Sequence, residues 1–103
     1  KAIVTRSELE LLAKLDGWTL AEFVTCAFSA KESLYKTLNP LTQSYFGFLD
    51  AELLSLEADG VFKVRLLKPL SPQWPAHKII HGQWAKFAHG FITAIGVPAT
   101  SAN

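Results

Sequence analysis

Between Ser7 and Leu38 the apolar residues recur at helical spacing, in two blocks divided by Asp16-Gly17. The first block opens on Ser7-Glu8-Leu9-Glu10, which has the form of a capping box with Ser7 as N-cap and Glu10 reaching back. Leu11, Leu12 and Leu15 supply its stripe, and Asp16-Gly17 predicts its end. A second box, Thr19-Leu20-Ala21-Glu22, opens the longest predicted helix, running to about Leu38, where Asn39-Pro40 is expected to stop it. At ~100° per residue, Leu20, Phe23, Val24, Ala27, Phe28, Leu34, Tyr35 and Leu38 fall on one face of that helix, with Lys31 near its middle.

After Pro40 the period changes. Residues 45–57 suit either a helix or a strand, and Asp59-Gly60 between apolar runs selects the strand, because that pair favours a tight hairpin turn. Phe62, Val64 and Leu66 alternate with Lys63, Arg65 and Leu67, as in a half-buried strand. Pro69, Pro72 and Pro75 predict an irregular connection around Trp74. Ile79-Ile80 and Trp84 to Phe87 read as strand pieces, and Phe91 to Ile95 as a last strand before a loose tail. The expected fold class is α+β: two N-terminal helices packed on an antiparallel sheet of three or more strands, with residues 1–103 as a single domain.

Composition narrows the class. Hydrophobic residues make up 50% and charged residues 18%, which excludes a disordered tail or a coiled coil. No apolar run reaches the ~20 residues that span a bilayer, and the first residues lack the apolar core of a signal peptide. A net charge of +1 argues against nucleic acid or an anionic membrane as the main partner. The single cysteine, Cys26, cannot form an internal disulfide, so a cytoplasmic location is expected. The absence of methionine and the high apolar content lead us to expect part of a longer protein, with one face turned to a partner.

Lys31 is the anomaly of the long helix. A lysine on an apolar face must snorkel, pair with a carboxylate, or face a cleft that holds an anion. Glu32 and Lys36, four residues apart on the flank of the stripe, are neighbours on the helix surface. Two ammoniums and a carboxylate in this arrangement suit a phosphate ligand with a divalent metal, although such a pair is more often a solvated helix face. His77, His81 and His89 lack an accompanying acidic residue and read as ordinary histidines rather than metal ligands; Cys26 reads as a structural thiol. Trp74, Trp84 and Phe87, with Lys63 and Arg65, could form a stacking platform for single-stranded nucleic acid, but fit the core better.

The segment Phe28-Ser29-Ala30-Lys31-Glu32-Ser33-Leu34-Tyr35-Lys36 closely resembles the signature of 4′-phosphopantetheinyl transferases, aromatic-Ser-x-Lys-Glu-Ser/Ala-x-x-Lys. It is most similar to the Sfp-type branch and, within it, to the enterobactin-synthase component D group; Phe46-Gly47-Phe48-Leu49-Asp50-Ala51 and Leu66-Leu67 share the likeness. The resemblance implies one lobe of a pseudo-dimer, the C-terminal one, with the active site between lobes. The Gly-x-Asp-x-Glu type motif of the other lobe does not occur here. It further implies that Glu32 is a magnesium ligand and a candidate base, and that Lys31 and Lys36 contact the phosphates of coenzyme A. Lys36 would also steady charge as the phosphoanhydride breaks. The implied reaction moves the phosphopantetheine arm of coenzyme A to a serine of an apo carrier protein, in siderophore, nonribosomal peptide or polyketide assembly, with this lobe nearly inactive alone. The alternative is a non-enzymatic α+β interaction module in which Lys31 and Glu32 form a structural pair.

Overall fold

In the computed structural model, residues 3–88 and 90–95 are described; the predicted tail, His89 and the first two residues lie outside them. Helix α1 (Arg6–Lys14) and helix α2 (Leu20–Thr42) precede a 3-10 turn at Phe48–Asp50 and four strands, β1 (Ala51–Leu56), β2 (Val61–Leu66), β3 (Ile79–Phe87) and β4 (Gly90–Ala94). The strands form one antiparallel sheet in the order β1-β2-β3-β4. This is the expected α+β arrangement of two helices on an antiparallel sheet. No helix among the described residues is long and apolar enough to cross a membrane.

The first helix starts earlier than its sequence suggests. Thr5, not Ser7, is the N-cap, and the box closes with Glu8 rather than Glu10. Thr5-x-x-Glu8 and Ser7-x-x-Glu10 satisfy the same spacing rule, and the choice falls to the frame that carries Glu8 into the core. At α2 the Thr19–Glu22 box forms as read, with both reciprocal bonds present. Pro40, however, lies inside the helix, which continues to Thr42. A proline there cannot donate to the Lys36 carbonyl, and its ring crowds that carbonyl. The last turn is held by the Gln43 amide donating to the Asn39 carbonyl at 2.7 Å and the Thr42 hydroxyl donating to the Leu38 carbonyl at 2.9 Å. Gln43, at φ 53°, then supplies the left-handed cap.

The core lies between α2 and the inner face of the sheet. Phe62, Val64 and Leu66 of β2 face inward as their alternation requires, joined by Leu53 of β1 and Ile80 of β3. From α2 come Phe23, Cys26, Ala27, Ala30, Leu34 and Leu38. The buried stripe is therefore rotated from the predicted one: Cys26 joins it, whereas Leu20 and Phe28 are exposed. Ile79-Ile80 and Trp84 to Phe87 belong to one continuous strand. A bulge between Leu53 and Ser55 bends β1, and Gly60, at φ 92°, completes the Asp59-Gly60 turn into β2.

Gly82 of β3 lies flat against the Phe62 ring, and an added Cβ would overlap that ring and stand 2.9 Å from the Ala94 carbonyl oxygen. Gly82→Ala is expected to destabilise the fold by about 1–3 kcal/mol through overpacking. Denaturant unfolding checks this, and an unchanged midpoint would contradict it.

Candidate active site

The residues that set the site begin in α1. Within its capping box, Glu8 takes the Thr5 amide on Oε1 at 2.7 Å, and the rest of its carboxylate is turned inward and fully buried. Its Oε1 also accepts from Lys31 Nζ at 2.8 Å, and its Oε2 accepts the Leu53 amide of edge strand β1 at 2.5 Å. Lys31, 3% exposed on the core face of α2, donates besides to the carbonyls of Ile3 at 2.8 Å and Phe48 at 2.6 Å. An ammonium has three N–H donors, so this one is saturated. Burial pulls Lys31 below the usual lysine range, while the hydrogen bond and charge of Glu8, and the charge of Glu52, oppose that pull. Of the options open to a lysine on an apolar face, the structure selects pairing with a carboxylate, and the carboxylate is Glu8 rather than Glu32.

Beside this buried pair is a cleft of about 220 Å³ lined by Lys31, Glu32, Tyr35, Phe46, Gly47, Phe48 and Ala51. The two segments that carry the sequence resemblance, 28–36 and 46–51, thus form its opposite walls. Aromatic contacts join them: Tyr35 and Phe46 rings lie 5.1 Å apart, Phe28 and Phe48 rings 5.2 Å. The Gly47 amide donates to Asp50 Oδ2 at 2.8 Å, which tightens the turn after Phe46. Glu32 is half-buried at the cleft and makes no side-chain hydrogen bond or ion pair among the described residues. Lys36 is exposed one turn further along α2, outside the cleft lining, and likewise has no such partner among them. The structure therefore brings Lys31 and Glu32 to the cleft and leaves Lys36 at the surface beyond it.

The other flank of the same helix turn is pinned by hydroxyls. Ser29 Oγ and Ser33 Oγ lie 2.8 Å and 2.7 Å from Thr93 Oγ1 of β4, and Ser33 Oγ donates to the Thr93 carbonyl at 3.1 Å. The serines stand four apart and so share a face, which explains the choice of small hydroxyl residues around Lys31-Glu32. Sequence reading missed both this network and Glu8. The serine spacing was a usable signal; the Glu8 partnership was not, because two of the groups gathered on Lys31 are backbone carbonyls.

A sequence profile of the 4′-phosphopantetheinyl transferase superfamily matches residues 1–93, covering both helices and the walls of the cleft. The chain belongs to that superfamily. Its general chemistry is accordingly phosphopantetheinyl transfer, a transferase reaction. Among curated proteins none matches the chain.

The remaining sequence candidates fall elsewhere. Cys26 is fully buried, and burial pushes its thiol up to about 11, so it is a packing residue. Among the described residues, no group of three or more His, Cys, Asp or Glu side chains could hold a metal ion. Trp84 packs against Trp18 and Phe91 at the sheet–helix junction, with its Nε1 donating to the Glu57 carbonyl at 3.1 Å. Lys63 and Arg65 are ion-paired to Glu57 and Glu52 at 3.5 Å and 2.6 Å.

Removing one partner of a buried ion pair strands the other charge. Glu8→Gln or Lys31→Met is therefore expected to cost about 3–5 kcal/mol, and the double variant less than the sum. Denaturant unfolding of the three variants measures this; additive losses would contradict a coupled pair. For Cys26, the unfolded thiol ionises near its ordinary 9.0 while the folded one holds its proton to about 11. Unfolding thus releases a proton between these values, and stability falls as pH rises through that window. Iodoacetamide at pH 8 should leave Cys26 unmodified until the protein is unfolded, and rapid native modification would contradict its burial.

Proposed function

We propose that this chain is the C-terminal lobe of a magnesium-dependent, Sfp-type 4′-phosphopantetheinyl transferase of the enterobactin-synthase component D kind. It transfers the arm of coenzyme A to a serine of an apo acyl or peptidyl carrier protein. The observation that carries this reading is Glu32: a half-buried carboxylate without a cation among the described residues, in a cleft walled by both segments of the family resemblance.

In the reaction the serine Oγ forms a bond to the β-phosphorus of coenzyme A, the phosphoanhydride bond breaks, and adenosine 3′,5′-bisphosphate leaves. The demand on the protein is positioning and charge neutralisation. Magnesium suits the donor chemistry, since this ion is commonly held by one or two carboxylates together with substrate phosphates and water. Glu32 would be its ligand on this lobe, and when bound the ion offsets charge developing on the phosphates. Glu32 is also the cleft group able to take the serine proton. Lys36, exposed and unpaired among the described residues, reaches toward the coenzyme A phosphates as a mobile cation and steadies the leaving bisphosphate. Lys31 lies at the base of the cleft, its charge met by Glu8. The exposed aromatic and aliphatic groups beside it, Phe28 and Leu49 among them, are where the N-terminal lobe and the carrier would approach.

With half of the site supplied, this chain alone should turn over barely at all. The natural full-length protein would act in the cytoplasm, where coenzyme A and apo carriers meet, in siderophore or other nonribosomal peptide assembly. In that protein, Glu32→Ala should lower transfer at least about a hundredfold and abolish its magnesium dependence. Lys36→Ala should raise KM for coenzyme A about tenfold, the loss of one charge-assisted bond. Circular dichroism should show the fold retained in both. A Glu32→Ala protein that transfers at the wild-type rate would overturn the reading.

A further inference from the structure

Lys31 lies at the cleft, yet its geometry is that of a fixture. Its ammonium is saturated by Glu8, Ile3 and Phe48, and its side chain is 3% exposed. A phosphate oxygen could bond to it only by displacing one of those acceptors, and the charged one among them, the Glu8 carboxylate at 2.8 Å, repels an anion. Counted together, the pair presents no net charge to the cleft. What the ammonium does hold is structure: through the Phe48 carbonyl at 2.6 Å it suspends the wall formed by Phe46, Gly47 and Phe48. It also fixes the rotation of α2. Glu32 follows it in sequence and stands ~100° around the helix, so anchoring Lys31 inward directs Glu32 along the cleft.

We propose that Glu8 and Lys31 are positioning residues for the transfer, holding the Phe46–Phe48 wall at a fixed setting opposite Glu32, and that Lys31 does not itself bind phosphate. This rests on the function proposed above, and it divides the two lysines of the motif: Lys36 meets the substrate, Lys31 sets the frame. Ser29 and Ser33, bonded to Thr93, hold the opposite flank of the same turn. Glu8, on a different helix and without a motif of its own, thereby becomes part of the transfer machinery.

The test uses the natural full-length protein and two readouts. In the first, acetic anhydride at neutral pH is followed by mass mapping, with and without coenzyme A and magnesium. Lys36 should be acetylated and shielded by coenzyme A, while Lys31 stays unmodified in both states. Lys31 reacting as fast as Lys36, or becoming shielded by coenzyme A, would overturn the proposal.

In the second, rates are normalised to folded protein. Glu8→Gln and Lys31→Met should each lower kcat by about tenfold or more, the usual scale for a residue acting through another, while the Kd for coenzyme A stays within about twofold. The neutral double variant should recover part of the loss, because neither charge is stranded. If Lys31→Met does not fold, Glu8→Gln and the labelling decide. A Lys31→Met protein that loses coenzyme A affinity about tenfold, beside a Glu8→Gln protein that keeps wild-type kcat, would make Lys31 a phosphate ligand. A wild-type protein that transfers to no carrier would remove the function itself, and the role of the pair with it, even with Lys31 unreactive.

Discussion

A lysine ammonium withdrawn from water must replace its hydration with acceptors of fixed geometry, and on Lys31 these come from three separate segments of the chain. The Ile3 carbonyl belongs to the strand of backbone before α1, the Glu8 carboxylate to α1 itself, and the Phe48 carbonyl to the connection before β1. Glu8 then uses its other oxygen on the Leu53 amide, an edge donor of the sheet. One buried ion pair thus fixes how the N-terminal segment, the first helix, the long helix and the first strand meet. The desolvation cost of such a pair is large, and replacement by apolar residues would often be neutral or better for stability. What it supplies here is specificity of arrangement: a slip of α2 by one residue would withdraw Lys31 from all its acceptors. The carboxylate on β1 also blunts an edge that would otherwise be open to another strand.

The same helix therefore serves two ends. Its inward face, through Phe23, Cys26, Ala27, Ala30, Leu34 and Leu38, makes the core, while Glu32 and Tyr35 look into the cleft. Positions 29 and 33 tie it to β4, and position 31 ties it to Ile3, Glu8 and Phe48 on the other side. A reaction whose catalysis is largely geometry and charge asks for such a scaffold, because a carboxylate held loosely would lose much of its value to reorganisation. The superfamily chemistry and the packing of this chain are in that sense one design.

Much of the fold could be read from the chain. Alternation at Phe62, Val64 and Leu66, the Asp59-Gly60 turn and the Thr19–Glu22 box are local signals, and each formed as expected. The failures have a common cause in tertiary context. Thr5 prevailed over Ser7 because only that frame delivers Glu8 to Lys31. Cys26 entered the core, and Leu20 and Phe28 left it, because the sheet packs against a stripe rotated from the one drawn through the largest side chains. Pro40 was tolerated because it falls in a last turn closed by Gln43 and Thr42. At the site, the motif grouped Lys31, Glu32 and Lys36, but gave no sign of which lysine was free. That distinction rests on backbone carbonyls at Ile3 and Phe48, groups every residue carries and no pattern marks.

The most direct test of the account is the intact mass of an apo carrier protein after incubation with the natural full-length protein, coenzyme A and magnesium. The account predicts a gain of one phosphopantetheine on the carrier serine, abolished by EDTA. An unchanged mass across several carriers, from a folded protein, would contradict it.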